Sequence, residues 1–290
     1  MKTSRSWLAY ATITTVFWGV WGALIEIPEK AGFPATLGYV VWALTMVPCA
    51  LVALRHVNWK FETDKRSIFL GSAIGFLGAG GQLLLFQALR DGPAYIIFPL
   101  ISLSPALTIL LAVFLLKEKT SFLKWTGIGS AMIAIFFLSY QEPGSSDVRG
   151  YLWLVLSILV FLAWGLQAFV MKFSNETMKA ESIFFYMAAS AIILSPFALW
   201  MTDFDQSINW GLEGPYLAAL IHVLNAVGAL TLVYALRYGK AIIVVPLTGL
   251  APLITIVISL FIYSVVPGTM LMIGLVLAVI AIFILSLPED

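Results

Sequence analysis

His222 and Asn225 lie three residues apart in an otherwise apolar stretch, so on a helix they share one face. Imidazole, with an ordinary pKa of about 6.5, can trade a proton with its surroundings near neutrality. An amide can only donate and accept hydrogen bonds. Gln82 and Gln167 add two more amides inside apolar runs, and Trp18, Trp21 and Trp164 add flat rings, each with one N–H donor. Groups of this kind bind and release solutes. Glu26 is a rival to His222 as a proton carrier. Motifs for bond breaking are absent: the sequence has no HExxH, no G-x-S-x-G and no Walker A lysine. Cys49 is the only cysteine, which excludes a disulfide framework, and His56 and His222 are too few for a three-histidine zinc site. No metal, no cofactor and no catalytic residue is expected.

The elements that position these groups follow from composition. Of 290 residues, 61% are hydrophobic and 11% charged, against about 25% charged in soluble domains. That excludes a soluble enzyme, and a net charge of +1 gives no reason to expect nucleic acid. A helix crossing the hydrocarbon core needs about 20 apolar residues. The runs between charge clusters predict ten spans, at 7–27, 34–54, 67–89, 93–116, 122–139, 150–171, 181–201, 215–236, 241–263 and 268–287. No charged residue occurs from Ala241 to Pro288. One helix over that stretch would be about 72 Å long, so a break at Pro267-Gly268 is expected. The runs are continuous rather than alternating, which predicts helices and not a barrel.

Ten spans put both termini on one side. With the termini cytoplasmic, the inner segments hold Lys2, Arg5 and eleven further basic residues, and the outer ones only Lys30, Arg90 and Arg149. The positive-inside rule then favours cytoplasmic termini. In that orientation Gln82 and His222 both lie roughly 10 Å below the outer surface, with Asn225 one turn deeper. Trp18 and Trp164 fall near the centres of their spans, with Trp21 and Gln167 a turn further along. Together they predict an aromatic-walled cavity. Glu26 falls near the outer boundary. Trp7, Trp42, Trp59, Trp125, Trp153, Trp200 and Trp210 read as interface anchors, and Lys172 as a residue snorkelling to the inner surface. Gly71 and Gly75 form a packing ridge, and Gly80-Gly81 a notch with room for packing or for a ligand.

The chain repeats itself. Leu85–Ile109 and Leu232–Ile256 are identical at 13 of 25 positions with a fixed offset of 147. They share A-L-R-x-G-x-A, then Pro99/Pro246 and Pro105/Pro252. Gly127 and Gly274 keep that offset, and Trp18-Gly19 matches Trp164-Gly165 at an offset of 146. Each repeat has five spans, and an odd number inverts the second half relative to the first. Inverted repeats characterise secondary transporters, in which the halves exchange conformations. Each proline removes a helix hydrogen bond, so spans four and nine are expected to kink and to gate.

These W-G, A-L-R-x-G-x-A and P-x5-P motifs, with Lys117-Glu118-Lys119 leading to Gly127, resemble the drug/metabolite transporter superfamily, specifically proteins with two EamA repeats. The resemblance departs at Val265, where Glu118 has no acidic counterpart. It implies an all-α membrane protein of ten transmembrane helices, with one EamA-like repeat over 1–140 and a second, inverted one over 150–287. It further implies a secondary transporter in the cell inner membrane that moves a small organic metabolite by alternating access, as an exporter. The partners implied are that solute, membrane lipids, and a proton or an exchanged solute, with the protein a monomer or homodimer. The alternative is a membrane structural or regulatory protein that keeps the fold without transport.

Overall fold

The computed structural model describes residues 6–140, 150–263 and 268–288, and all regular structure among them is helical. Lys2, Arg5, Arg149, Val265 and Pro267 lie outside the described residues. In chain order the helices are α1 (Ser6–Leu24), α2 (Glu26–Lys30), α3 (Ala35–His56), α4 (Lys65–Asp91), α5 (Ala94–Ser102), α6 (Ser104–Phe114) and α7 (Phe122–Leu138). The second half holds α8 (Leu152–Ser174), α9 (Ala180–Trp200), α10 (Leu217–Tyr238), α11 (Ala241–Thr248), α12 (Ala251–Tyr263) and α13 (Thr269–Ser286). A π-helical turn, Leu212–Tyr216, leads into α10. Nine stretches of the described residues are long and apolar enough to cross a membrane, and α7 adds a shorter apolar helix. The protein is therefore a multi-pass membrane protein.

Local chemistry sets several boundaries. Asp64 caps α4, its carboxylate accepting from Arg66 N and Ser67 N at 3.1 Å. The Ser67 hydroxyl and these amides hold the Asp64 carboxyl below its usual range. Ser121 caps α7 through Lys124 N.

Spans four and nine are interrupted near their prolines, as a kink requires. Each is two helices: α5 and α6 meet at Leu103, and α11 and α12 are separated by Gly249 and Leu250. Pro99 and Pro246 lie inside α5 and α11. Pro105 and Pro252 fall in the first turns of α6 and α12, where a missing N–H leaves no bond unmade. The Ser102 hydroxyl donates to Pro99 O at 2.8 Å and the Thr248 hydroxyl to Val244 O at 3.0 Å, satisfying carbonyls near each break.

The connections gather at two ends. At one, Lys179 Nζ donates to Lys60 O, Lys240 Nζ to Lys119 O, and Arg237 Nη1 to Met178 O. Glu62 joins this basic end, accepting from the Ser182 hydroxyl and Lys179 N and pairing with Lys179 Nζ at 3.6 Å. Partial burial pushes the Glu62 carboxyl up, but those bonds and the Lys179 charge outweigh it and leave it below the usual range. At the other end Asn209 Nδ2 donates to Ala31 O, the Thr36 and Thr202 hydroxyls meet at 2.7 Å, and Asp203, Asp205 and Glu213 are exposed.

Lys124 on α7 is buried, 2% exposed, and its ammonium donates to the carbonyls of Ile284, Leu285 and Leu287. A cation thus closes the C-terminus of α13, where the helix dipole favours positive charge. Lys124→Met leaves those carbonyls without their donor. The expected loss is about 1–3 kcal/mol, read as a lower midpoint of unfolding in detergent. An unchanged midpoint would contradict this role.

Candidate functional site

The two halves place tryptophan against glycine in the same way. Trp18 of α1 sits over Gly228 of α10, where an added Cβ would fall 2.5 Å from the indole Cδ1. Trp164 of α8 sits over Gly81 of α4, where an added Cβ would fall 2.5 Å from Nε1. The Trp18 N–H donates to Asn225 O and the Trp164 N–H to Gly78 O, both at 3.3 Å. These four positions are related by the sequence offsets of 146 and 147. The neighbouring turn repeats the pattern. The Thr108 hydroxyl donates to Gly165 O at 2.8 Å, and the Thr255 hydroxyl to Gly19 O at 2.9 Å. Gly127 receives Ile284 and Leu285, and Gly274 receives Phe137 and Leu138. At Gly19, Gly81, Gly127, Gly165 and Gly228 the facing side chain occupies the space of a Cβ, and at Gly274 a Cβ would meet its neighbours at 3.0 Å.

The predicted residues fall into two groups. In the first, Trp21 Nε1 donates to His222 Nδ1 at 3.1 Å, and Trp18 lies one turn away beside Asn225. An Nδ1 that accepts leaves the hydrogen on Nε2 in the neutral ring. His222 is 5% exposed, and Nε2 has no partner among the described residues. Gly38 of α3 lies beside it, where an added Cβ would fall 3.5 Å from Nε2. In the second group, Trp164 and Gln167 face α4, with Gln167 over Gly78. Gln82 is half-buried on α4, one residue beyond Gly81. Trp164 fills the notch at Gly81, while Gly71 and Gly75 take Tyr186 and Ser190 of α9.

Two aromatic residues join the groups without having been singled out as site residues. Trp42 of α3, expected as an interface anchor, instead donates its N–H to Asn225 Oδ1 at 2.8 Å. Its depth was the available signal, for it lies seven residues into α3, roughly 10 Å from the helix start. Tyr39 packs edge-on to Trp42 at 5.2 Å and its hydroxyl donates to Ala79 O of α4 at 3.4 Å. α3 thereby links the α1–α10 group to the α4–α8 group.

Other residues are placed apart. Glu26 is exposed at the acidic end and pairs with Lys30 at 2.6 Å on its own short helix. The Lys172 ammonium reaches the basic end, where it donates to Leu236 O and Gly239 O and lies 3.9 Å from Glu118. Trp153 is buried against Gly92. Among the described residues, the charged side chains of the spanning helices all fall in a first or last turn. The middle of the bundle therefore offers indole, imidazole, amide and hydroxyl groups only.

An all-helical membrane bundle of two inverted halves, with paired aromatic seats and uncharged polar groups at mid-depth, has the architecture of a secondary transporter. The model of the EamA-like transporter family matches residues 5–140 and 150–287, so the chain belongs to that family. An uncharacterized protein of Methanocaldococcus jannaschii is 30% identical over 130 residues, 45% of this chain and 93% of that protein. CMP-sialic acid transporter 1 of Arabidopsis thaliana is 27% identical over 191 residues, 60% of this chain and 55% of its own length. Protein RarD of Streptomyces exfoliatus is 25% identical over 261 residues, 85% of this chain and 75% of its own. A protein of known crystal structure superposes with a TM-score of 0.79 at 16% identity, over 97% of both chains, which supports the same fold.

Proposed function

We propose that this protein exports a small organic metabolite across the cell inner membrane by alternating access, with the solute bound between α1, α3, α4, α8 and α10. The observation that carries this reading is the mirrored seating of Trp18 on Gly228 and Trp164 on Gly81. Two equivalent walls meet across the repeat axis, and each can adopt the other's conformation. Trp18, Trp21, Gln82, Trp164, Gln167, His222 and Asn225 face the solute, and Trp42 extends the wall. The breaks at Pro99/Pro105 and Pro246/Pro252 are the flexible points. The solute carries no net charge, because a lone ion at mid-depth would find no ionised partner there and an uncompensated charge is costly. A thermal-shift screen against amino acids, nucleobases, sugars, sugar phosphates, nucleotides and cations tests this, since a ligand that binds only the folded state raises the melting temperature. Stabilisation by phosphorylated or otherwise anionic solutes alone would refute the uncharged-solute reading.

The basic end faces the cytoplasm in this proposal, as do both termini. Asn58 and Gln206 are exposed at opposite ends. Single cysteines placed there in a Cys49→Ala background should label from opposite sides of the membrane with an impermeant reagent. Labelling of both from one side would defeat the topology.

A further inference from the structure

At the basic end three separate pieces of chain are tied through one pair of charges. Glu118, in the loop after α6, accepts from Ala241 N at 3.1 Å and Ile242 N at 3.0 Å. Its two oxygens thus close the N-terminus of α11, where the helix dipole favours an anion. Lys172, near the end of α8, donates to Leu236 O at 3.0 Å and Gly239 O at 2.7 Å, closing the C-terminus of α10. The two charges stand 3.9 Å apart, with their side chains 10% and 17% exposed. Lys240 Nζ adds a bond to Lys119 O. First-half loop and second-half helices are therefore fastened at the α10–α11 junction.

The repeat shows that this arrangement is one-sided. With the offset of 146, Lys172 corresponds to Glu26, and with 147, Glu118 corresponds to Val265. A carboxylate cannot donate to helix carbonyls, and valine cannot accept from helix amides. Glu26 instead pairs with Lys30 in the exposed α2. Among the described residues, no side chain caps the N-terminus of α5, the counterpart of α11, so the acidic end shows no equivalent fastening.

We infer that Lys172 and Glu118 form a latch that holds the basic end shut and biases the resting transporter to open at the acidic end. The inference rests on the alternating-access reading above. Opening at the basic end must uncover two helix termini as well as separate two charges. The acidic end opens without that cost, so the two orientations are unequal in population although the halves are alike in architecture.

Thr248→Cys in a Cys49→Ala background provides the reporter, because Thr248 is buried at the α11–α12 break. Its labelling by a small impermeant thiol reagent is measured from each side of proteoliposomes. Lys172→Met and Glu118→Gln should each raise labelling from the basic-end side about tenfold, the population change on losing one hydrogen bond to a charged group. The double swap Lys172→Glu with Glu118→Lys should not restore the parent rate, because each charge would then meet the wrong helix end. Melting temperatures confirm that the variants are folded, and Lys172→Arg, which keeps the charge and donors, should label like the parent. Unchanged basic-side labelling in folded Lys172→Met and Glu118→Gln, with a reporter that still responds to solute, would overturn the latch alone. Restoration by the swap would overturn the role of the helix ends. A reporter labelled equally from both sides in every variant, with or without solute, would overturn alternating access itself.

Discussion

Gly81→Ala and Gly228→Ala should each abolish transport, while Gly80→Ala, one residue away, should be tolerated. The added methyl at Gly81 meets Trp164 Nε1 at 2.5 Å and at Gly228 meets Trp18 Cδ1 at 2.5 Å, both far inside contact distance. At Gly80 the nearest atom is Leu194 Cδ1 at 3.9 Å, an ordinary contact. The indole must leave its seat, and with it goes the N–H bond to Gly78 O or Asn225 O. Overpacking of this kind costs about 1–3 kcal/mol, which a bundle of this size can survive. Function should not survive if the ring that moves is part of the proposed solute wall. Adding Trp164→Ala to Gly81→Ala separates the two effects. The double variant should fold without the clash, yet bind no solute. The measurements are melting temperature in detergent and uptake of the stabilising solute into proteoliposomes. Full uptake by Gly81→Ala would show that the indole is not part of the path, and unequal behaviour of the two glycine variants would show that the halves are not functionally equivalent.

Most of the fold was legible because a bilayer imposes a length on every apolar run, and a repeat that preserves Arg, Gly and two prolines in register reveals its own boundaries. The departures came where several weak local choices compete. Two prolines six residues apart predict a kink but not its place, and at the breaks Gly19 packs against Ile254, Gly165 against Leu107 and Gly249 against Ile135. The site was partly legible. Depth along a helix placed Trp18, His222 and Asn225 together, but rotation about its axis is set by neighbouring helices. Trp42 therefore looked like an anchor until α3 was seen to turn it toward Asn225. Lys124 and Lys172 were legible only as charges near span ends. Nothing in the linear sequence says that their partners are the carbonyls ending α13, 160 residues or more away, and α10.

A His222→Gln variant should still exchange solute across the membrane but lose accumulation driven by a pH gradient. The geometry supplies the reason. His222 Nδ1 accepts the Trp21 N–H at 3.1 Å, so the ring is neutral in this arrangement. A proton added at Nδ1 would face that N–H, and the bond must break. Trp21 is then released from the imidazole, one turn along α1 from Trp18 and its seat on Gly228. Protonation and movement of the aromatic wall become one event, which exchange of solute against protons requires. Nε2 is buried and has no partner among the described residues. Glutamine can accept from Trp21 but cannot take up a proton near neutrality, so binding survives and coupling does not. Glu26, exposed and paired with Lys30 in α2, stands outside this arrangement, and Glu26→Gln should retain accumulation. The measurement is solute flux into proteoliposomes with and without an imposed pH gradient. Flux indifferent to the gradient in the parent protein, or full gradient-driven accumulation by His222→Gln, would make the histidine a structural partner of Trp21 and nothing more.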